Sequence, residues 1–217
     1  VHGLGKLGGA SLGYASDIEL LLVYSDSGTT DGAEKIENAE FFERFVRLLH
    51  EVILSKRDGI FQLDFRLRPY GKDGPMAVSL ESFCRYYSTL AHFYEKLALV
   101  RLRTMAGSRT LGQQIERLRD EFVYLSGQVD LQELWNLRKK QLEEKAPSET
   151  QLNAKFSPGA LVDLEYAVQA LQVRYAHETI LLRTPLINKA LEGLRVVGVL
   201  NPDDVTQIDT AYNFFRI

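Results

Sequence analysis

The 217-residue sequence contains little cysteine, and Cys84 is the only one. A single thiol excludes an internal disulfide framework of the kind on which many small secreted proteins depend. It also excludes a cysteine-rich zinc site, and the four histidines show no zinc-ligand spacing. The sequence therefore favours a reducing compartment, and we expect a cytoplasmic protein.

Long apolar runs and an excess of positive charge are also missing. No run approaches the roughly 20 apolar residues that a membrane-spanning helix needs, and no signal peptide is visible. The formal net charge is -3, which gives no electrostatic reason to expect nucleic-acid binding. Hydrophobic residues make up 45% of the chain, enough for a packed core. We expect no membrane and no nucleic-acid partner, and a small-molecule or protein substrate.

Glycine is concentrated near the start of the chain, in the stretch Gly3-Leu-Gly-Lys-Leu-Gly-Gly9. Because glycine has no Cβ atom, it allows the backbone to approach a phosphate closely. Successive backbone N–H groups can then hold phosphate oxygens, and the ammonium group of Lys6 adds a positive charge. The stretch therefore predicts a phosphate-binding segment built on Gly5, Lys6, Gly8 and Gly9.

A strand buried on both faces is predicted after this segment, because residues 18–24 form an apolar run. Asp17 and Glu19 are two positions apart, so they lie on the same face of an extended chain. Paired carboxylates beside a phosphate-binding segment are typical of sites where divalent cations hold a nucleotide and activate an attacking oxygen. We therefore predict that both acids bind metal.

A second strand is predicted over residues 60–68 from its alternating pattern. Its apolar face should pack on a preceding amphipathic helix, which is predicted over residues 38–54. The other face carries Asp64, Arg66 and Arg68. If this strand lies beside the first one, Asp64 becomes a third carboxylate. The two arginines then either neutralise phosphate charge or pair with surface acids.

The rest of the chain is mostly helical in pattern. The helix over residues 38–54 has an apolar stripe that consists of Phe41, Phe45, Leu48, Leu49, Val52 and Ile53. Helical patterns dominate after residue 79, so we predict a nucleotide-binding domain at residues 1–80 and a helical bundle domain at residues 81–217. The chain starts at Val1, at the end of a strand pattern, which indicates a piece of a longer protein that lacks most of this first strand.

Two of these stretches resemble a known signature. Residues 3–9 and the stretch Ser16-Asp-Ile-Glu-Leu20 are similar to the signature of the glutamine-synthetase adenylyltransferase family, which belongs to the polymerase-β-like nucleotidyltransferases. Residues 64–69 are similar to the family's Asp-x-Arg-Leu-Arg-Pro segment. The chain departs from the family pattern at Ser11, where the family usually has Glu, and at Glu19, where it usually has Asp.

The resemblance implies an α+β fold, in which a polymerase-β-like mixed sheet, N-terminally truncated here, precedes an all-α helical bundle. It implies catalysis by Asp17, Glu19 and Asp64, which would also hold Mg²⁺ or Mn²⁺, with ATP as the substrate. The nucleotide contacts that we expect are Gly5, Lys6, Gly8, Gly9, Ser16, Arg66, Arg68 and Lys155. The resemblance supplies Ser16 and Lys155, and Lys155 could equally face the nucleotide or solvent.

The implied reaction is transfer of AMP from ATP to a tyrosine hydroxyl of glutamine synthetase, or removal of that AMP by phosphorolysis, in the regulation of nitrogen assimilation. Glutamine synthetase is the expected protein substrate, and a signalling regulator protein is a further expected partner. The family's longer members carry one module for each direction. The segment from Lys155 to Glu165 resembles a second family segment, with Ala160 in place of a glycine, and its Asp163-Leu-Glu165 form is closer to the attaching module.

Two alternatives to this reaction stay open. The first is a nucleotidyltransferase that uses another acceptor, such as an antibiotic or a different protein. The second is a regulatory module that keeps the fold and binds nucleotide or a signalling protein without chemistry. Glu19 and Ala160 favour the second alternative, whereas intact Asp17 and Asp64 oppose it.

Overall fold

The computed structural model describes residues 1–13, 16–53, 62–145 and 152–216. The chain divides into two compact units, Val1–Phe122 and Val123–Ile217. The first unit contains a mixed sheet and helices, and the second contains helices and connecting turns. The α+β class expected from the sequence, with a mixed sheet followed by a helical region, is therefore confirmed.

The sheet of the first unit is centred on its longest strand. The described strands are β1 (His2–Gly3), β2 (Ile18–Tyr24), β3 (Leu63–Asp64), β4 (Ala77–Ser79) and β5 (Arg103–Thr104). Their order is β3-β2-β1-β5, and β4 also pairs with β2. β1 runs antiparallel to β2 and β5, whereas β3 and β4 run parallel to β2. The sheet is therefore mixed, and β2 pairs with three other strands.

β2 is buried on both faces, as its apolar run predicts. Leu20, Leu22 and Tyr24 pack into a core with Val46 of helix α2 (Asn38–Ile53). The alternate residues Leu21 and Val23 are also buried, on the opposite face. Because Glu19 alternates with the core-facing residues, it lies on the face of β2 that is turned away from α2.

The helix predicted over residues 38–54 is present as α2, and its last predicted residue lies outside the described residues. The predicted apolar stripe, however, does not face the core. Phe42 and Val46 pack against the sheet, and the Phe42 ring stacks on Tyr24 at a centroid distance of 4.7 Å. Phe41, Phe45, Leu48 and Val52 are 43%, 45%, 58% and 70% exposed. Apolar residues surround much of this helix, so the sequence pattern alone does not identify the packed side.

The second predicted strand is shorter than expected. Residues 60 and 61 lie outside the described residues, and β3 ends at Asp64. The prediction that the strand continues to Arg68 is wrong, because the chain turns after Asp64. Arg68 stabilises this turn by donating hydrogen bonds to the backbone carbonyls of Phe65, Lys72 and Gly74. Beyond this turn the chain re-enters the sheet as β4, which runs parallel to β2.

Three helices follow β4 in the chain: α3 (Leu80–Thr89), α4 (Phe93–Ala98) and α5 (Arg109–Tyr124). α3 begins where the Ser79 hydroxyl accepts a hydrogen bond from the backbone N–H of Ser82 at 3.2 Å. These helices, up to Phe122, belong to the same compact unit as the sheet. The predicted nucleotidyltransferase domain of residues 1–80 thus lies within a larger unit, and its boundary stays a prediction.

The second unit contains the helices α6 (Leu131–Lys145), α7 (Leu161–Tyr175), α8 (Ile187–Val196) and α9 (Pro202–Phe214). α8 packs against both α7 and α9. Buried Gln172 on α7 donates hydrogen bonds to the carbonyls of Leu182 and Thr184, which ties the turn before α8 to the bundle. Within the described part of the chain, no helix combines the length and the apolar character needed to cross a membrane.

Candidate functional site

Two of the acids predicted from the sequence lie side by side at the start of β2, and the third precedes this strand. In the parallel pairing of β2 with β3, Glu19 lies directly beside Asp64. Leu63 packs into the core under the sheet, so the adjacent Asp64 projects from the other face, together with Glu19. Asp17 precedes β2 by one residue and is exposed. The structure therefore places Asp64 on the same sheet face as Glu19.

Asp64 is held by an arginine from the turn that follows it. The backbone N–H of Arg66 donates to Oδ1 at 2.8 Å, Nε lies 3.0 Å from Oδ1 and 2.9 Å from Oδ2, and Nη2 lies 2.6 Å from Oδ2. The Asp64 side chain is only 10% exposed, whereas that of Arg66 is 64% exposed. Burial raises the pKa of Asp64, but the hydrogen bonds and charge of Arg66 outweigh it and hold this pKa below its usual value.

All three acids raise the pKa of the Arg66 guanidinium group. Asp64 has the largest effect on the pKa of Arg66, and Asp17 and Glu19 raise it further. A positive charge is therefore stabilised beside Asp64, on the side of the sheet where Asp17 and Glu19 add negative potential. This is the electrostatic environment that a bound cation requires.

The donor set fits a hard divalent metal ion, although the side chains are not arranged around one in this conformation. Carboxylate oxygens are the ligands that Mg²⁺ and Mn²⁺ prefer, and Arg66 shows that a cation is stabilised beside them. Within the described ranges, no three His, Cys, Asp or Glu side chains are close enough together to hold a metal. The assignment of Asp17, Glu19 and Asp64 as metal ligands stays a prediction.

The glycine-rich stretch forms a single helical turn, α1 (Gly5–Gly8), between β1 and β2. Gly5 has a φ of +47°, and a Cβ atom at this position would lie 1.2 Å from Oε2 of Glu19. The backbone N–H of Lys6 donates to the same oxygen at 3.2 Å. The Glu19 carboxylate thus lies against the segment where the sequence predicts a phosphate.

Other predicted contacts gather around this turn. Gly9 follows it, and its N–H donates to the carbonyl of Gly5 at 3.0 Å. The Nζ of Lys6 lies 3.5 Å from the hydroxyl of Ser16, which also accepts a hydrogen bond from the N–H of Gly13. Ser11, which replaces the family's usual Glu, is buried and donates a hydrogen bond to the Lys6 carbonyl. The glycine turn, Lys6 and Ser16 are therefore brought together beside Glu19.

Arg68 has a different environment from Arg66. Its guanidinium group donates to the three backbone carbonyls that stabilise the turn, at 2.7–3.0 Å. These contacts support a structural role in positioning the segment that carries Arg66. Binding of nucleotide by Arg68 stays a prediction.

Lys155 lies in the second unit, in a compact turn before α7. Asn153 accepts hydrogen bonds from the N–H groups of Lys155 and Phe156, and the Lys155 ammonium group lies 5.1 Å from the centre of the Phe156 ring. Lys155 itself is exposed. Its role in nucleotide binding stays a prediction.

Arg138 organises this turn, although it was not predicted from the sequence. Arg138 on α6 is 5% exposed and forms an ion pair with Asp163. It also donates to the carbonyls of Phe156 and Ser157, at 2.8 and 3.2 Å. The charge and hydrogen bonds of Arg138 are the main reason that the pKa of Asp163 is lowered. No sequence signal connects the two residues, because they lie 25 positions apart on different helices.

Comparison with known proteins identifies the family. The model of the family described as glutamate-ammonia ligase adenylyltransferase matches residues 1–118, which contain the paired acids and the glycine turn. The chain belongs to the glutamate-ammonia ligase adenylyltransferase family. The family expected from the sequence signature is therefore confirmed. A second model, described as GlnD PII-uridylyltransferase, matches residues 130–217, which are almost all of the second unit.

Curated relatives of this adenylyltransferase family match the chain along its length. The chain is 33% identical to a bifunctional glutamine synthetase adenylyltransferase/adenylyl-removing enzyme of Methylococcus capsulatus, with 100% of the chain and 23% of the relative covered. Enzymes of the same name from Pseudomonas aeruginosa and Streptomyces coelicolor are each 31% identical, with 100% and 98% of the chain covered and 22% of each relative. The chain thus spans about a quarter of the length of these relatives.

Proposed function

We propose that the chain provides a metal-dependent nucleotidyltransferase module that transfers AMP from ATP to a tyrosine hydroxyl of glutamine synthetase or removes it by phosphorolysis. The observation that carries this proposal is the pairing of Glu19 with Asp64 beside the glycine turn. This arrangement places two carboxylates next to backbone N–H groups suited to phosphate. The names of the curated relatives support both the reaction and the protein substrate.

In this proposal, the catalytic carboxylates are Asp17, Glu19 and Asp64, which would hold Mg²⁺ or Mn²⁺. When bound, the metal lowers the pKa of the attacking hydroxyl and neutralises charge on the α-phosphate. The glycine turn orients the phosphates through its backbone N–H groups, helped by Lys6 and Ser16. Binding at the turn requires the Glu19 carboxylate to leave Gly5 and Lys6, which it contacts in this structure.

Arg66 supplies the positive charge for the leaving group. Its guanidinium group has the fork geometry that matches phosphate oxygens, and it is exposed enough to reach a bound nucleotide. Stabilisation of the departing pyrophosphate requires no proton transfer, since a guanidinium group stays charged. The chain's own contribution to the reaction is thus positioning and charge stabilisation.

The biological setting follows from the same proposal. The reaction regulates nitrogen assimilation in the cytoplasm, with glutamine synthetase as the acceptor and a signalling regulator protein as a further partner. The form of the Asp163–Glu165 segment favours the attaching direction. A binding module without chemistry is the second candidate, because the Glu19 carboxylate occupies the position expected for phosphate.

An assay with labelled ATP tests the proposal. The intact protein is incubated with glutamine synthetase, ATP labelled at the α-phosphate, and Mg²⁺ or Mn²⁺. We expect label on glutamine synthetase and, in the reverse assay, phosphate-dependent release of ADP from the modified enzyme. Asp17→Asn should lower the rate by roughly 100-fold or more, because it removes a metal ligand.

Asp26→Asn is the matched control, since Asp26 is an exposed acid in the loop after β2 and the charge change is the same. It should leave the rate unchanged. Nucleotide binding without label on any added acceptor would favour the binding module. Label on an acceptor other than glutamine synthetase would favour the first alternative.

A further inference from the structure

We propose that Arg66 is a gate for metal binding: its guanidinium group holds Asp64 in the nucleotide-free protein and moves to the triphosphate when nucleotide binds, which frees Asp64 for the metal. This inference rests on the proposed nucleotidyltransferase function. It adds that nucleotide and divalent metal promote each other's binding through one side chain.

The first argument for the gate is that Arg66 and a metal ion compete for the same two oxygens of Asp64. Arg66 engages both carboxylate oxygens of Asp64 with three of its nitrogens. A Mg²⁺ ion needs an oxygen ligand at about 2.0–2.1 Å with near-octahedral geometry. The guanidinium hydrogen bonds occupy lone pairs on both oxygens of Asp64, and the guanidinium charge opposes the approach of a metal ion from the same side. Metal binding by Asp64 therefore requires Arg66 to leave.

The exposure of the two partners shows which one moves. Asp64 is fixed in β3 and its side chain is 10% exposed, whereas the Arg66 side chain is 64% exposed. A largely buried carboxylate needs a cationic partner, so Arg66 leaves when another cation replaces it, and the exposed guanidinium group stays hydrated as it moves. Arg66 is thus the mobile partner, and it protects Asp64 until another cation replaces it.

The surrounding turn allows this movement without local unfolding. The bonds that close the turn come from Arg68, whose guanidinium group donates to the carbonyls of Phe65, Lys72 and Gly74. The Arg66 side chain makes its hydrogen bonds to Asp64. The side chain of Arg66 can therefore change rotamer while the backbone of the turn keeps its conformation.

A triphosphate is the kind of ligand that draws the Arg66 guanidinium group away from Asp64. It offers the guanidinium group several anionic oxygens, and bidentate contacts to phosphate are among the strongest that arginine makes. Once Arg66 has moved, Asp64 lacks a cationic partner and its affinity for a divalent metal rises. By thermodynamic linkage, bound metal raises the affinity for nucleotide by the same factor.

Binding of Mn²⁺ alone provides the decisive test. Free Mn²⁺ is measured by electron paramagnetic resonance in titrations of the intact protein without nucleotide. We expect Arg66→Gln to raise Mn²⁺ affinity by roughly tenfold or more, since the competing cation is gone. Arg44→Gln is the control for net charge, because Arg44 pairs with Glu40 on the exposed side of α2, and it should leave Mn²⁺ affinity unchanged.

Binding of a fluorescent ATP analogue with Mn²⁺ is measured on the same proteins. Arg66→Gln should weaken it, so the two affinities change in opposite directions. A residue that only stabilises the turn would lower both affinities, and that result would overturn the gate, as would unchanged Mn²⁺ affinity. If the unmodified protein fails to bind the ATP analogue, the proposed function fails, whereas the titration with Mn²⁺ alone still reports on Arg66.

Discussion

Gly5 lies so close to the carboxylate of Glu19 that a Cβ atom on Gly5 would be 1.2 Å from Oε2. The N–H of Lys6 donates to the same oxygen, so the glutamate bridges the start of β2 and the glycine turn. Aspartate, which the family usually has at this position, is one methylene shorter. The longer side chain of Glu19 therefore gives the glycine turn an internal anion.

We predict that Gly5→Ala destabilises the protein by about 2 kcal/mol. Roughly 1 kcal/mol comes from the left-handed backbone conformation, and about 1 kcal/mol comes from the hydrogen bond to the Lys6 N–H that the Glu19 carboxylate loses when it moves away from the new methyl group. Gly71→Ala is the control, since Gly71 has a φ of +57° but the nearest atom to its added Cβ would be 3.9 Å away. It should cost only about 1 kcal/mol.

Urea unfolding of Gly5→Ala, Glu19→Ala and the double variant separates the backbone contribution to the destabilisation from the contribution of Glu19. The double-mutant cycle should show a coupling energy of about 1 kcal/mol, because without the Glu19 side chain the new methyl group displaces no hydrogen bond. Additive effects would show that Glu19 does not contact Gly5 in solution.

We further predict that Glu19→Asp increases Mg²⁺-dependent adenylyl transfer. The shorter side chain no longer reaches the glycine turn, and it can approach a metal with the octahedral geometry that Mg²⁺ demands. Because Mn²⁺ tolerates more distortion, the ratio of the Mn²⁺ rate to the Mg²⁺ rate should fall. Steady-state rates of the intact enzyme with each metal provide the measurement. If Glu19→Asp leaves both rates unchanged and Glu19→Ala is equally active, Glu19 is not a ligand.

The sequence was sufficient to predict the features that depend on local patterns. The apolar run of β2 predicted burial on both faces, and the two-residue periodicity placed Asp64 on the face of Glu19. The turn after Asp64 could not be predicted from alternation, because side-chain hydrogen bonds from Arg68 to the backbone determine it. Such contacts are invisible to a hydrophobic pattern.

The packed side of α2 and the organisation of the Lys155 turn were missed for related reasons. α2 has apolar residues on several sides, and contact with Tyr24 selects Phe42 rather than the predicted stripe. The partner of Asp163 lies on a different helix, so only the tertiary structure identifies Arg138. Pattern-based reasoning thus indicated Asp64 and Arg66 in one segment but not the pairing of Arg138 with Asp163.

Loss of Arg138 should destabilise the second unit. Arg138→Met preserves an unbranched side chain but removes the guanidinium group. Asp163 and the carbonyls of Phe156 and Ser157 then lose their donor. We expect a decrease of about 2 kcal/mol in the free energy of unfolding, since the partly exposed Asp163 loses its cationic partner and two carbonyls lose their donor. Lys140→Met on the same helix, at a side chain that is 71% exposed, should change it by less than about 0.5 kcal/mol. Equal effects of the two substitutions in urea titrations would contradict this role.

We predict that the free energy of unfolding falls as the pH falls from 7 to 5, because His2 is buried. Burial lowers the pKa of His2 from 6.5 to about 4, and its Nδ1 lies 3.3 Å from the hydroxyl of Thr104. The unfolded chain therefore binds a proton between pH 6.5 and 4 that the folded protein does not, so stability falls as the pH falls through this window. Between pH 7 and 5 the expected loss from this residue is about 2 kcal/mol. His2→Gln removes the titrating group, so the difference between the unfolding free energies of the two proteins should shrink by this amount at pH 5. A constant difference across the range would show that His2 is accessible to protons in the folded state.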